Sequence, residues 1–222
     1  MAMRYQAPTQ AFGYAPAIPV QSLLGQVLSF TAIGLLITAA TAYLFQGVSY
    51  GAGLVALIVG FILLFAINAT RANEALSLTL FYAFAALEGV GLAPTIHAYA
   101  ATIGSGAIVD AAATTGLGML ALACIVFMTG LDLRRFQGYF FLALIGLVLA
   151  GVVTAFTHWI HPATYAWLTL LVFTGLVLID FARIRAGGSG FTPVQLAVQI
   201  YLDAINIFLA ILQLFGARRN DD

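Results

Sequence analysis

The chain has 222 residues, of which 63% are hydrophobic and only 7% are charged, and its formal net charge is zero. A soluble domain carries roughly a quarter of charged residues, and a chain this apolar has too little polar surface to cover itself in water. All eight basic residues are arginines spread along the chain, which excludes the basic face of a nucleic-acid-binding protein and the lysine Schiff base of a retinal pigment.

Seven apolar windows follow one another along the chain, and each is bounded by Gly, Pro, Asn or a charged residue. A membrane helix needs roughly twenty apolar residues. The predicted helices span about 23–45, 52–68, 75–97, 106–130, 138–157, 163–183 and 193–216. Residues 1–21 predict a disordered N-terminal tail, residues 22–217 a single seven-helix membrane domain, and residues 218–222 a short C-terminal tail. The expected fold class is an all-α integral membrane protein.

The positions of the arginines predict the orientation in the membrane, because cytoplasmic loops carry an excess of basic residues. With a cytoplasmic N-terminus, six arginines lie inside and two lie outside. Those inside are Arg4, Arg71, Arg134, Arg135, Arg183 and Arg185, and those outside are Arg218 and Arg219. We therefore expect the N-terminus inside and the C-terminus outside.

The seventh window carries a polar stripe. Its members recur at helical spacing and fall on one face of a helix: Gln195, Gln199, Asp203, Asn206 and Gln213. Such a stripe cannot face lipid tails, so we expect this helix inside the bundle. For the amides alone, hydrogen bonds that join helices are the better explanation. A carboxylate is a costly way to join helices, so Asp203 indicates a functional group.

Asp180 lies near the end of the sixth window and has two interpretations. It could reach the membrane surface and pair with Arg183 or Arg185. Alternatively, a short loop makes the last two helices antiparallel neighbours, so Asp180 and Asp203 could approach each other. Two adjacent carboxylates in a low dielectric cannot both ionise cheaply and would share a proton. The second interpretation predicts a titratable switch.

Three further charged residues stand in or beside the predicted helices. Arg71 ends the second helix and could pair with an ionised Asp180, or it could be an ordinary positive-inside residue. Glu88 lies near the middle of the third helix, where an ionisable group indicates function. Asp110 lies near the outer end of the fourth helix and could simply reach water. The single cysteine, Cys124, stands in an apolar run, where a packed thiol is expected.

Histidines fall on the predicted outer side, at His97, His158 and His161. Three His can bind zinc, but the HWIHP segment is typical of an interfacial loop with a Trp anchor. Neither the sixth nor the seventh window contains a His. A zinc-dependent membrane hydrolase is therefore a weaker alternative.

Three stretches resemble the Bax inhibitor family, specifically its bacterial calcium-leak members. They are FYAFAALEGVGLAPTI, LVFTGLVLIDFARI and IYLDAINIFLAILQLFG, and the last is the most specific. The resemblance implies seven helices with the seventh in the centre, wrapped by the other six. It also implies a pH-sensitive calcium leak in which Asp180 and Asp203 form the sensor and Arg71 latches the closed form.

Taken with the two aspartates, the resemblance implies a calcium or cation leak channel of the bacterial cytoplasmic membrane, gated by that pair. Glu88, Gln199 and Asn206 are candidate pore-lining residues. No cofactor is expected, and the ligands are the lipid bilayer, protons and permeant calcium near the aspartates. The alternative is an intramembrane aspartyl protease that uses the same two residues, although YLDAIN lacks the Gly-x-Gly-Asp of that class.

Overall fold

The computed structural model describes residues 19–157 and 159–220. In these ranges, every long element of secondary structure is an α-helix. The seven helices are α1 Val20–Leu44, α2 Tyr50–Ala69, α3 Glu74–Ile103, α4 Ser105–Thr129, α5 Gln137–Thr157, α6 Pro162–Arg185 and α7 Pro193–Asn220. A single 3₁₀ turn, Arg134–Phe136, precedes α5. All seven helices are long and apolar enough to cross a membrane, which confirms the predicted fold class.

Local sequence explains where several helices begin. The side chain of Ser49 accepts a hydrogen bond from the Ala52 amide at the start of α2, and Asn73 does the same for Leu76 at the start of α3. These caps satisfy amides that have no partner within the helix. Gly104 and Gly130 flank α4 with positive φ, a conformation that glycine adopts without strain.

Most helix ends lie within three residues of the predicted bounds, and two helices run further. α3 passes through the buried Pro94 and continues to Ile103, beyond the predicted end at 97. Proline is tolerated in membrane helices where neighbours satisfy the freed backbone groups. α7 continues to Asn220, so residues 218–220 of the predicted tail are helical. The predicted N-terminal tail lies outside the described residues, except 19–21, where α1 already begins at Val20.

α7 occupies the centre of the bundle. It packs against α1, α3, α4 and α6, whereas α2 packs mainly on α3 and α5 mainly on α6. No side chain from residue 193 to 217 is exposed. The sequence leads us to expect that all six other helices surround α7. In the structure four of them pack directly on α7, and α2 and α5 form an outer layer.

Small residues allow the helices of this bundle to approach closely. A Cβ on Gly89 of α3 would overlap the Thr38 carbonyl and the Thr41 hydroxyl of α1. A Cβ on Gly53 of α2 would lie 3.1 Å from the Gly91 carbonyl oxygen of α3. Close backbone contact is the usual way in which membrane helices associate, so these glycines fix α3 between α1 and α2.

The outer surface of the bundle is apolar. Leu36, Phe65 and Leu171 are 70%, 64% and 69% exposed, as expected of side chains that face lipid rather than water. Cys124 of α4 is also exposed, so the expectation of a packed thiol is wrong. The physical reason is that α4 presents one side to lipid, where a small apolar side chain needs no protein neighbour.

Candidate functional site

Five arginines lie on one end of the bundle. Contacts between loops and helix ends show this: Gln195 Nε2 donates to Asn68 Oδ1 at 2.8 Å, and Arg185 Nη2 donates to the Gly130 carbonyl at 2.7 Å. The ends of α2, α4 and α6 and the starts of α3, α5 and α7 therefore meet here. We call this end the arginine face; it carries Arg71, Arg134, Arg135, Arg183 and Arg185. Arg4 lies outside the described residues, and Arg218 lies at the opposite end of α7.

Asp180 and Asp203 meet below the arginine face. Asp180 of α6 is 7% exposed and Asp203 of α7 is 4% exposed. Their carboxyl groups face each other at hydrogen-bonding range. The antiparallel packing of α6 on α7 thus brings together the two acids that the sequence predicts as a pair.

Arg183 is the cation of this site. Its Nη1 donates to Asp180 Oδ1 and to Gln199 Oε1, both at 2.5 Å, and its Nη2 donates to Gln137 Oε1 at 2.9 Å. The guanidinium also stacks on the Phe191 ring, 4.5 Å from its centroid. These contacts join helices α5, α6 and α7 through one cation. That cation is buried, because Arg183 is only 5% exposed.

The charges at the site do not balance if both carboxyl groups ionise. Two carboxylates, Asp180 and Asp203, would then face one guanidinium, and Asp203 Oδ2 is buried with no hydrogen-bond partner among the described residues. A buried polar atom without a partner is unfavourable, as is an uncompensated buried charge. One proton held between the two carboxyl groups would supply a donor and neutralise the site.

Arg71 does not hold Asp180 in this structure. Arg71 is exposed in the loop between α2 and α3, and the ion pair with Asp180 is made by Arg183. Arg183 stands three residues after Asp180 on the same helix, where the two side chains are neighbours. The role of Arg71 as a latch stays a prediction. The pairing with Arg183, also considered from the sequence, is observed, but Asp180 is buried rather than at the membrane surface.

The other candidate residues differ in whether they contact the aspartate site. Gln199 belongs to the aspartate site through Arg183. Asn206 is half-buried and donates to the Leu202 carbonyl of its own helix. Glu88 is half-buried on α3. Among the described residues, no hydrogen bond links Glu88 or Asn206 to the two aspartates.

The histidines have separate positions. His161 caps α6 by accepting a hydrogen bond from the Ala163 amide at 3.3 Å, His97 is exposed on α3, and His158 lies outside the described residues. Within the described ranges, no group of three or more His, Cys, Asp or Glu could hold a metal ion. Asp110 is exposed on α4.

An apolar cavity of about 780 Å³ lies on the other side of α7, between α1, α3 and α4. Its lining includes Ile200 and Ala204 of α7 but neither Asp180 nor Asp203. The aspartate site is therefore not part of this cavity.

Two features of the site escape prediction from sequence. Gln137 and Phe191 contact Arg183 from the start of α5 and from the loop before α7, and no spacing rule relates these positions to Asp180. Asp132 accepts hydrogen bonds from the Arg134 backbone amide at 3.0 Å and from its side chain, with Nε at 2.9 Å and Nη2 at 2.7 Å. The sequence does contain a pattern that could have predicted this pair, because Asp132 stands two residues before Arg134 in a short loop.

The fold and its apolar surface define an integral membrane protein. A family model described as inhibitor of apoptosis-promoting Bax1 matches residues 20–220. The chain therefore belongs to the Bax inhibitor family, as the three motifs indicated.

Relatives in bacteria and yeast cover much of the chain. An uncharacterised membrane protein of Streptococcus pyogenes is 33% identical over 78% of this chain and 75% of its own length. The inner membrane protein YbhL of Escherichia coli is 28% identical over 92% of this chain and 95% of its own length. Bax inhibitor 1 of Schizosaccharomyces pombe is 32% identical over 64% of this chain and 52% of its own length.

Proposed function

We propose that this protein is a pH-sensitive calcium or cation leak gated by Asp180 and Asp203. The observation that carries the proposal is that two buried carboxyl groups face each other with a single guanidinium between them and the arginine face. Such a group of charges changes its interactions whenever it gains or loses one proton. A proton moves a gate only if the open and closed forms bind it unequally.

The network around Arg183 supports a closed form in the described conformation. Arg183 joins α5, α6 and α7 through Gln137, Asp180 and Gln199, and Asp203 is 4% exposed. As pH falls, protonation of the pair removes the negative charge that holds Arg183. The helices are then free to separate, so the leak should rise as pH falls.

The geometry around Asp203 favours a leak over the alternative of an intramembrane aspartyl protease. Asp203 lies within the continuous helix α7, whereas that class of enzyme places one catalytic acid next to a glycine-rich segment. Asp203 is also absent from the lining of the apolar cavity.

The membrane location proposed is the cytoplasmic membrane of a bacterium. The name of the Escherichia coli relative places that protein in the inner membrane. We propose that the arginine face is cytoplasmic, because basic loops remain on that side. The N-terminus would then be inside and the C-terminus outside.

A double-mutant cycle tests whether the two aspartates act as one unit. Asp180→Asn, Asp203→Asn and the double variant are reconstituted, and the pH dependence of calcium entry is measured for each. Each single variant should blunt the response, and the double variant should add little, because coupled residues are not additive. A fully additive loss would mean that the residues act separately, and normal responses in all variants would point to Glu88.

A further inference from the structure

A second, polar cavity of about 650 Å³ opens on the arginine face. It lies between the loop that precedes α5 and the loop that joins α6 to α7. Its lining includes Asp132, Arg134, Arg135, Gln137, Arg183 and Ser189. Three guanidinium groups, two from the 3₁₀ turn before α5 and one from α6, therefore converge on one space that the proposed leak does not use.

The hydrogen bonds at this polar cavity leave donors available. An arginine has five N–H donors. Arg134 directs two of its nitrogens at Asp132 and a third at the Ser189 hydroxyl, 3.0 Å away. Arg135 makes no hydrogen bond among the described residues, and its guanidinium rests on the Phe136 ring. Arg135 and the remaining N–H groups of Arg134 and Arg183 are thus free to bind another acceptor.

The charge of the polar cavity is positive. Three arginines line it against one carboxylate, Asp132. Arg134 lowers the pKa of that carboxyl to about 2, so Asp132 is ionised at neutral pH and the lining still carries an excess of positive charge. Asp180 offsets Arg183 from the buried side, and Arg185 adds positive charge close to Asp132.

We propose that the polar cavity binds a phosphate group, carried by the headgroup of an anionic lipid or by a soluble phosphate compound. The planar guanidinium fork matches the geometry of phosphate oxygens. The cavity also lies at the end of the spanning helices, at the depth where lipid headgroups are found. Basic pockets of this kind between membrane helices favour acidic headgroups.

A bound phosphate would also reach the aspartate site, because Arg183 lines the cavity on one side and pairs with Asp180 on the other. The phosphate would compete with Asp180 for the guanidinium and favour release of the α5, α6 and α7 junction. This effect on the leak rests on the proposed function, whereas binding itself does not.

Binding is tested on the full chain with two phosphate sources. In one arm, nanodiscs of phosphatidylcholine hold the protein while inorganic phosphate is titrated at constant ionic strength in a calorimeter. In the other, nanodiscs contain phosphatidylglycerol and phosphatidylcholine, and native mass spectrometry measures which lipid stays bound. Binding in the first arm only identifies a soluble ligand, and retention of phosphatidylglycerol only identifies a lipid.

Matched arginine variants locate the site. Arg135→Gln should weaken binding about tenfold, the effect of losing one charge-assisted contact. Arg71→Gln removes the same charge from the same face, outside the cavity, and should change binding by less than about twofold. If the glutamine variant of Arg135 does not fold, Arg135→Lys keeps the positive charge but lacks the planar guanidinium. It should weaken phosphate binding about threefold.

The proposal is overturned if neither source binds, or if the Arg71 and Arg135 variants weaken binding equally, since a diffuse positive face would then explain it. Phosphate binding is measured directly in both arms, without calcium flux, and so does not depend on the leak. Failure of the leak and failure of the phosphate site are therefore distinguishable.

Discussion

Arg183 is a buried cation in a membrane protein, and it is held by three different helices. Removing one partner of a buried ion pair leaves the other uncompensated and typically costs about 3–5 kcal/mol. An exposed arginine contributes far less, because its charge is solvated. Arg183 and Arg71, two of the three arginines that the sequence offers as partners of Asp180, can therefore be told apart by their effects on stability.

We predict that Arg183→Ala lowers the free energy of unfolding by about 3 kcal/mol or more, whereas Arg71→Ala lowers it by less than about 1 kcal/mol. Thermal or denaturant unfolding of the purified protein in one detergent measures both. Arg183→Ala should also raise the basal leak more than Arg71→Ala does. A larger effect of Arg71→Ala on both the free energy of unfolding and the basal leak would indicate that Arg71 is the latch.

Asp132 provides a control for the pH response. Arg134 lowers the pKa of Asp132 from 3.8 to about 2, so the stabilisation from this pair is present above the unfolded pKa and is lost as pH falls through the folded value. None of this change falls near neutral pH. We predict that Asp132→Asn leaves the midpoint of the pH response unchanged in flux assays; a displaced midpoint would place the sensor on the arginine face instead.

The sequence predicts a contact between two residues when both lie on one helix or on two consecutive helices. Asp180 and Arg183 are three residues apart on α6, and Asp203 follows on the next helix. The contact of Gln137 with Arg183 depends on the path of the loop before α5, which no local pattern specifies. Sequence therefore predicted the acids and left their cation undecided between Arg71, Arg183 and Arg185.

At the scale of helices, close packing of α3 on α1 is fixed by Gly89. A side chain there would overlap backbone atoms of α1, which cannot move as a flexible side chain can. Overpacking of a core typically costs about 1–3 kcal/mol.

We predict that Gly89→Ala destabilises the protein by that amount, measured as a lower melting temperature in detergent. Gly118→Ala on α4 is the matched control, because nothing lies within 4 Å of its Cβ position and alanine favours a helix. Equal effects of the two substitutions would show that helix propensity rather than the contact with α1 is responsible.

The polar stripe predicted the buried position of α7 because side chains that cannot face lipid must face protein. It did not predict that α2 and α5 stand outside the inner group of helices. Those two windows are uniformly apolar, and a uniformly apolar helix suits lipid and protein contacts equally. Their neighbours are therefore decided by packing shape, which periodicity does not encode.

For the whole molecule, seven spanning helices require opposite sides for the two termini. We predict that the arginine face is cytoplasmic. In a Cys124→Ala background, a membrane-impermeant maleimide should label Thr102→Cys in intact cells and Ala72→Cys only after lysis. The reverse pattern would invert the topology while leaving the fold unchanged.

The central claim is that one shared protonation site gates a calcium leak. Its most direct test is calcium entry into proteoliposomes across a pH series, with wild type beside Asp203→Asn at equal reconstitution. As pH falls across the series, the wild-type leak should rise, and the leak of the variant should respond less. An absent wild-type leak, or an unaltered pH response in Asp203→Asn, would contradict the account.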